Sequence, residues 1–166
     1  MTQEMYIRIT QPFRDKPEMA KGIHIANKIC TGLMYVSYPV LLAYLFFIEK
    51  SGWLSALLVP GISFVLLSLV RAKINRPRPY EKFGIAPVIP KDTKGNSFPS
   101  RHVFSASIIA MTFLLASPWM WLGCVYLVVA GCLGVVRVLS GVHYPSDVVA
   151  GMLVGILAGV IGYIIF

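Results

Sequence analysis

RAKINRPRPYEKFGIAPVIPKDTKGNSFPSRH, residues 71–102, stands between two long apolar runs and carries eight of the chain's fifteen Lys and Arg residues against two acids. Pro77, Pro79, Pro87 and Pro90 rule out one continuous helix here, and Gly95-Asn96 favours a turn. An ordered loop over the mouth of an apolar bundle is expected, with residues 71–75 extending the preceding helix. So much fixed cation beside apolar segments calls for an anionic occupant.

Moving outward, 57% of the residues are hydrophobic and 13% charged, where a soluble domain has about 25% charged residues. Several apolar runs approach the roughly 20 residues needed to cross a bilayer. The reading is all-α: a polytopic transmembrane helical bundle of about five spans, forming a single integral-membrane domain over residues 1–166. The spans are expected at 29–48, 53–70, 102–116, 119–138 and 147–166, with 71–101 as the catalytic insert.

Residues 1–28 form a polar, interfacial lead-in. The alternation in Tyr6-Ile7-Arg8-Ile9-Thr10 has no strand partner, so coil is expected to about Asp15, and an interfacial helix from Pro17 to Lys28 feeds the first span. Charges, Pro12 and Pro17 break the pattern of a cleavable signal peptide. Ser100 and Ser146 are natural N-caps for the third and fifth spans. Gly151, Gly155 and Gly159 make a small-residue stripe for close helix packing, within the chain or between two copies.

The formal charge of +8 could suit nucleic acid. Its concentration in one membrane-flanking insert, with no nucleic-acid-binding motif, excludes that class. Cys30, Cys124 and Cys132 lie in apolar runs without metal-ligand spacing. No metal and no cofactor are called for; the partners are the bilayer and an anionic lipid headgroup or phosphate.

With five spans, the insert and the break after span four emerge on the same side as the N-terminus, so RVLSGVHYPSD, residues 137–147, can meet the insert. His143 and Asp147 lie four apart, a spacing that lets the carboxylate hold one imidazole nitrogen and leave the other free to attack phosphorus. His102 can protonate a leaving oxygen. Arg71, Arg78, Arg101 and Arg137 can stabilise phosphoryl charge, Ser100 adds a donor, and Lys73 and Arg76 are candidate headgroup contacts.

Arg71-x6-Arg78-Pro79, Pro99-Ser100-Arg101-His102 and Arg137-x5-His143-x3-Asp147 together resemble the three-part signature of the type 2 phosphatidic acid phosphatase (PAP2) superfamily. The resemblance implies a metal-independent membrane lipid phosphatase with His143 as nucleophile, Asp147 orienting it and His102 as general acid. It also implies phosphate contacts from Arg71, Arg78, Ser100, Arg101 through its backbone, and Arg137. Arg71 stands where the family usually has Lys, Arg101 where it has Gly, and Val136 where it has Ser.

The first substrate expected is undecaprenyl pyrophosphate, in a bacterial cell membrane, followed by phosphatidylglycerol phosphate or phosphatidate. Phosphotransfer between lipids and non-catalytic lipid-phosphate binding or transport are the other classes. Family resemblance favours a site outside the cytoplasm, whereas the distribution of cations favours the inside; the sequence assigns neither, nor monomer against homodimer.

Overall fold

The computed structural model describes residues 1–166, in which seven α-helices and one π-turn are the only regular elements. They are α1 (Gln3–Asp15), α2 (Pro17–Tyr44) running into the π-turn (Leu45–Glu49), α3 (Trp53–Ile74), α4 (Pro79–Phe83), α5 (Arg101–Ala116), α6 (Met120–Leu139) and α7 (Pro145–Ile165). The helices carrying α2, α3, α6 and α7 are long and apolar enough to cross a membrane. Pro39 and Pro60 lie inside α2 and α3 without ending them.

The expected third span, α5, is different in kind. Its 16 residues reach about 24 Å at 1.5 Å per residue, short of a full bilayer crossing. It is the centre of the bundle: Val103, Phe104 and every residue from Ala106 to Phe113 are buried. Its polar groups are satisfied internally, Ser107 donating to the Val103 carbonyl and Thr112 to that of Ile108, while Tyr163 of α7 donates to Thr112. Exposed Val, Leu, Ile and Phe on α2, α3 and α7 suit an outer surface wrapped in hydrocarbon.

In an apolar solvent, burying leucine gains little, so helix association depends on close approach. The glycines of α7 provide it within the chain. A Cβ on Gly151 would stand 2.6 Å from the Ser100 carbonyl oxygen, one on Gly155 2.8 Å from that of Phe104, and one on Gly159 2.5 Å from Met111 Cβ. The stripe therefore seats α7 on α5 and fixes the Ser100 corner against the start of α7. Gly151→Ala is expected to cost about 1–3 kcal/mol, because the obstacle is backbone that cannot rotate away. Thermal unfolding in detergent should show the loss against Gly131→Ala, whose added methyl meets nothing within 4 Å; equal melting temperatures would contradict this packing.

Three expectations are corrected. Residues 3–15 are helix rather than coil. Thr2 caps α1 by accepting the Met5 N–H at 3.3 Å, and Tyr6 and Thr10, one turn apart, form its buried face. The Tyr6 hydroxyl bonds the carbonyls of Gly141 and Ile85, so this helix is stabilised by loops distant in sequence. Second, the interfacial helix and the first span are one continuous helix from Pro17. Third, Ser146 is not a cap: α7 starts at Pro145, and the Asp147 carboxylate accepts the Tyr144 N–H at 3.1 Å. The insert also contains α4, which begins on Pro79 and ends at Gly84 with φ +64°.

Candidate active site

The end of α3, the start of α5, the end of α6 and the start of α7 meet at one end of the bundle, closed over by the insert. Between them lies a cavity of about 310 Å³ whose lining includes Arg71, Arg78, Lys91, Arg101, His102 and His143. Both candidate histidines therefore reach the same chamber, although 41 positions separate them.

Two arginines are built into its walls. Arg71, buried on the last turn of α3, donates to the carbonyls of Pro99 and Asn96. Arg78, also buried, donates through Nε to Gly95 O at 3.1 Å and through Nη1 to Val142 O at 3.3 Å, tying the insert to the loop that carries His143. Glu81 secures the same loop by accepting the N–H groups of Arg78 and Gly95. Each guanidinium has five N–H donors, so both keep donors for a ligand after these backbone bonds are made. Held in this way, they need no reorganisation to receive charge.

His143 is 1% exposed and forms the floor. Its Nδ1 lies 3.4 Å from Asp147 Oδ2. That oxygen also accepts the Ser97 hydroxyl at 2.5 Å, while Oδ1 accepts Arg76 Nη1 at 2.7 Å. A carboxylate so occupied is an acceptor, so the His143 proton belongs on Nδ1 and the Nε2 lone pair is free. Burial, reinforced by Arg137 and Arg78 and opposed by the Asp147 bond, pushes the His143 pKa down to about 4. The imidazole is neutral at pH 7, as a nucleophile must be.

His102, in the first turn of α5, faces Arg137 from α6. Arg137 Nη2 lies 3.3 Å from His102 Nδ1, and Nη1 donates to Asn27 Oδ1 of α2 at 3.0 Å. Guanidinium can only donate, so Nδ1 accepts and a proton on the neutral ring sits on Nε2. Lys91 is held below the ordinary lysine value by burial and then by Arg137, Arg78 and Arg101. Such mutual repulsion is relieved by an anion.

The sequence-derived residues separate into two layers. Arg71, Arg78, Arg101, His102 and His143 line the chamber. Asp147 and Arg137 stand behind the histidines, each bonded to one of them. Ser100 is buried with its hydroxyl unpartnered, and its N–H donates to Asp147 O at 2.8 Å. Arg76, expected as a headgroup contact, is instead committed to Asp147 and Ser146 and lies over the Tyr144 ring at 4.1 Å. Lys73 is exposed outside the lining.

Sequence reasoning missed Ser97, Asn27, Glu81 and Lys91. Ser97 has a local signal, being a hydroxyl in the same Asn-Ser-Phe-Pro-Ser run as Ser100. Asn27 has none, because its partner is 110 residues away. The donor set suits an anion rather than a metal: no three His, Cys, Asp or Glu side chains converge, and the one carboxylate behind the chamber is fully engaged.

The fold and the chamber define a class, polytopic membrane bundles with an anion-receiving site at one end. Within that class the chain belongs to the PAP2 superfamily, whose family profile matches residues 52–166. It is 39% identical over 85 residues to the bacitracin transport permease protein BcrC of Bacillus licheniformis, covering 48% of this chain and 39% of the relative. It is 33% identical over 130 residues to an undecaprenyl-diphosphatase of Sulfolobus acidocaldarius, covering 75% of this chain and 60% of the relative. These matches span less than two thirds of either relative. The crystal structure of Aquifex aeolicus LpxE superposes with a TM-score of 0.73 at 28% identity, over 96% of this chain and 92% of that one. With its long apolar helices, the chain is an integral, multi-pass membrane protein.

Proposed function

We propose that this protein hydrolyses the phosphate or pyrophosphate headgroup of a membrane lipid through a phosphohistidine on His143, with undecaprenyl diphosphate as the first substrate to test. The observation that carries the reading is a neutral, Asp147-backed His143 at the floor of a chamber walled by Arg71, Arg78 and His102. Similarity to the undecaprenyl-diphosphatase supports the choice of substrate.

Nε2 of His143 attacks the terminal phosphorus, forming an N–P bond while the P–O bond to the lipid breaks. With substrate phosphate in the chamber, its negative charge favours the imidazolium form of His102, which gives its Nε2 proton to the departing oxygen and is left neutral. Arg71 and Arg78, with the Ser100–Arg101 backbone at the start of α5, neutralise the equatorial oxygens. As N–P bonding proceeds, the imidazole becomes positive and its Nδ1–H bond to Asp147 strengthens. Water then attacks phosphorus as the N–P bond breaks, passes a proton to the neutral His102 and leaves orthophosphate, restoring both histidines.

The purified protein is expected to release orthophosphate from undecaprenyl diphosphate in micelles, with chelator present and no added metal. Phosphatidylglycerol phosphate and phosphatidate complete the panel. Lipid binding without phosphate release from any of them would favour transport, the activity in the printed name of the Bacillus relative.

A further inference from the structure

The chamber does not end at His102. Arg101 and His102 also line a second cavity of about 150 Å³, whose other walls are Tyr35 of α2, Phe64 of α3 and Ser105 of α5. Tyr35, Phe64 and Ser105 in turn line a third, apolar cavity of about 310 Å³ between α2 and α3, bounded by Leu57, Pro60 and Ile108. The three spaces form a series, from cationic to mixed to apolar. Tyr35 is 61% exposed and Leu57 45%, on helix faces that meet hydrocarbon, so the apolar end is open to the side of the bundle.

Within the middle space, Arg101 is the one permanent cation. It has no acidic partner: both ion pairs of the chain involve Asp147, with Arg76 and His143. Its guanidinium lies 5.7 Å from the centre of the Phe64 ring, a cation–π contact that does not consume its N–H donors. An exposed arginine with no acidic partner at the boundary between the chamber and an apolar groove keeps its N–H donors for an anionic ligand.

The order of the spaces specifies what the cation meets. If the attacked phosphorus lies over His143 and the hydrocarbon tail in the α2–α3 groove, the leaving oxygen lies beside His102, and the next substrate atom falls in the middle space. In a lipid monophosphate that atom is carbon. In a diphosphate it is a second phosphorus, whose two free oxygens match a planar fork of donors.

We propose that Arg101 is the specificity-determining residue that binds the lipid-proximal phosphate of a diphosphate substrate. This inference rests on the phosphatase reading above and deepens it by assigning diphosphate preference to one side chain. Binding that second phosphate also assists departure, because the leaving group is then a lipid monophosphate whose gathering charge Arg101 stabilises.

The test compares farnesyl diphosphate with farnesyl monophosphate in uncharged detergent micelles, for the wild type and Arg101→Ala. The alanine variant is expected to lower the ratio of kcat/KM for diphosphate over monophosphate by about tenfold or more, the worth of one charge-assisted contact. Arg101→Lys should recover part of the preference, since charge remains but the two-pronged geometry does not. Equal losses on both substrates would overturn the proposal and make Arg101 a general phosphate contact, and an unaltered ratio would overturn it equally. Should Arg101→Ala fail to fold, Arg101→Gln keeps the stem over Phe64 and is read by the same ratio. If the wild type hydrolyses both lipids and no Arg101 variant changes the ratio, this inference alone falls. If the wild type hydrolyses neither, the phosphatase reading falls and this inference with it.

Discussion

His143→Ala is expected to lower lipid-phosphate turnover on the order of 10⁴-fold or more, since the bond-forming atom itself is removed. The size of the effect follows from how much of the site converges on that ring. Its Nδ1 is backed by Asp147, and Asp147 is held by Ser97, Arg76 and the Tyr144 N–H. None of these groups can replace the missing Nε2. A structural role for the same histidine would lower activity only together with stability, so the melting temperature of the variant decides between the two. The direct check is rapid quench of the wild type with lipid carrying radioactive phosphate. A protein-bound label that is stable to alkali, labile to acid and lost in His143→Ala identifies phosphohistidine. Near-normal turnover by the variant would end the nucleophile assignment.

His102→Ala is expected to cost about 10²–10⁴-fold, the range of general acid catalysis. What identifies an acid is that the cost depends on the leaving group. Expulsion of a lipid alkoxide needs a proton, whereas an aryl oxide such as nitrophenolate leaves without one. The variant should therefore be severely impaired on a lipid monophosphate and only slightly on nitrophenyl phosphate. Equal impairment on both would show that His102 binds rather than protonates. Arg137 stands behind this ring as Asp147 stands behind His143, its place at Nδ1 leaving Nε2 as the nitrogen available to the leaving oxygen.

The two rings thus receive opposite second partners, a carboxylate behind His143, the proposed nucleophile, and a guanidinium behind His102, the proposed acid. Asp147 favours the positive ring that forms as His143 bonds to phosphorus. Arg137 disfavours positive charge on His102, which encourages it to lose a proton to the leaving oxygen. The same residue types in exchanged places would work against both steps.

Much of this was legible along the chain because it is written locally. Apolar runs and their polar breaks define a membrane helical bundle. The parity of crossings places the two polar breaks on one side, and four-residue spacing lets Asp147 meet His143. Those arguments involve neighbours in sequence or an integer count, and the bundle satisfies them even though α5 is too short and too enclosed to be an ordinary span. Residues 3–15 were misread for the converse reason: their helix is stabilised by Tyr6 reaching the Gly141 and Ile85 carbonyls, and no local pattern contains those partners.

The sequence by itself determined the all-helical membrane class, the two histidines and the carboxylate, and the excess of cation around them. Only the tertiary structure decided how those charges are divided. Arg76 is drawn out of the expected headgroup set to neutralise buried Asp147, since a fully buried carboxylate requires a partner. Arg137 stands behind His102, braced by Asn27 from 110 residues away, and Arg101 keeps its guanidinium free between chamber and groove. An arginine reads the same in any sequence. Whether it is consumed by a carbonyl, a carboxylate or a ring, or left for a ligand, depends on distances that the packing of five helices sets.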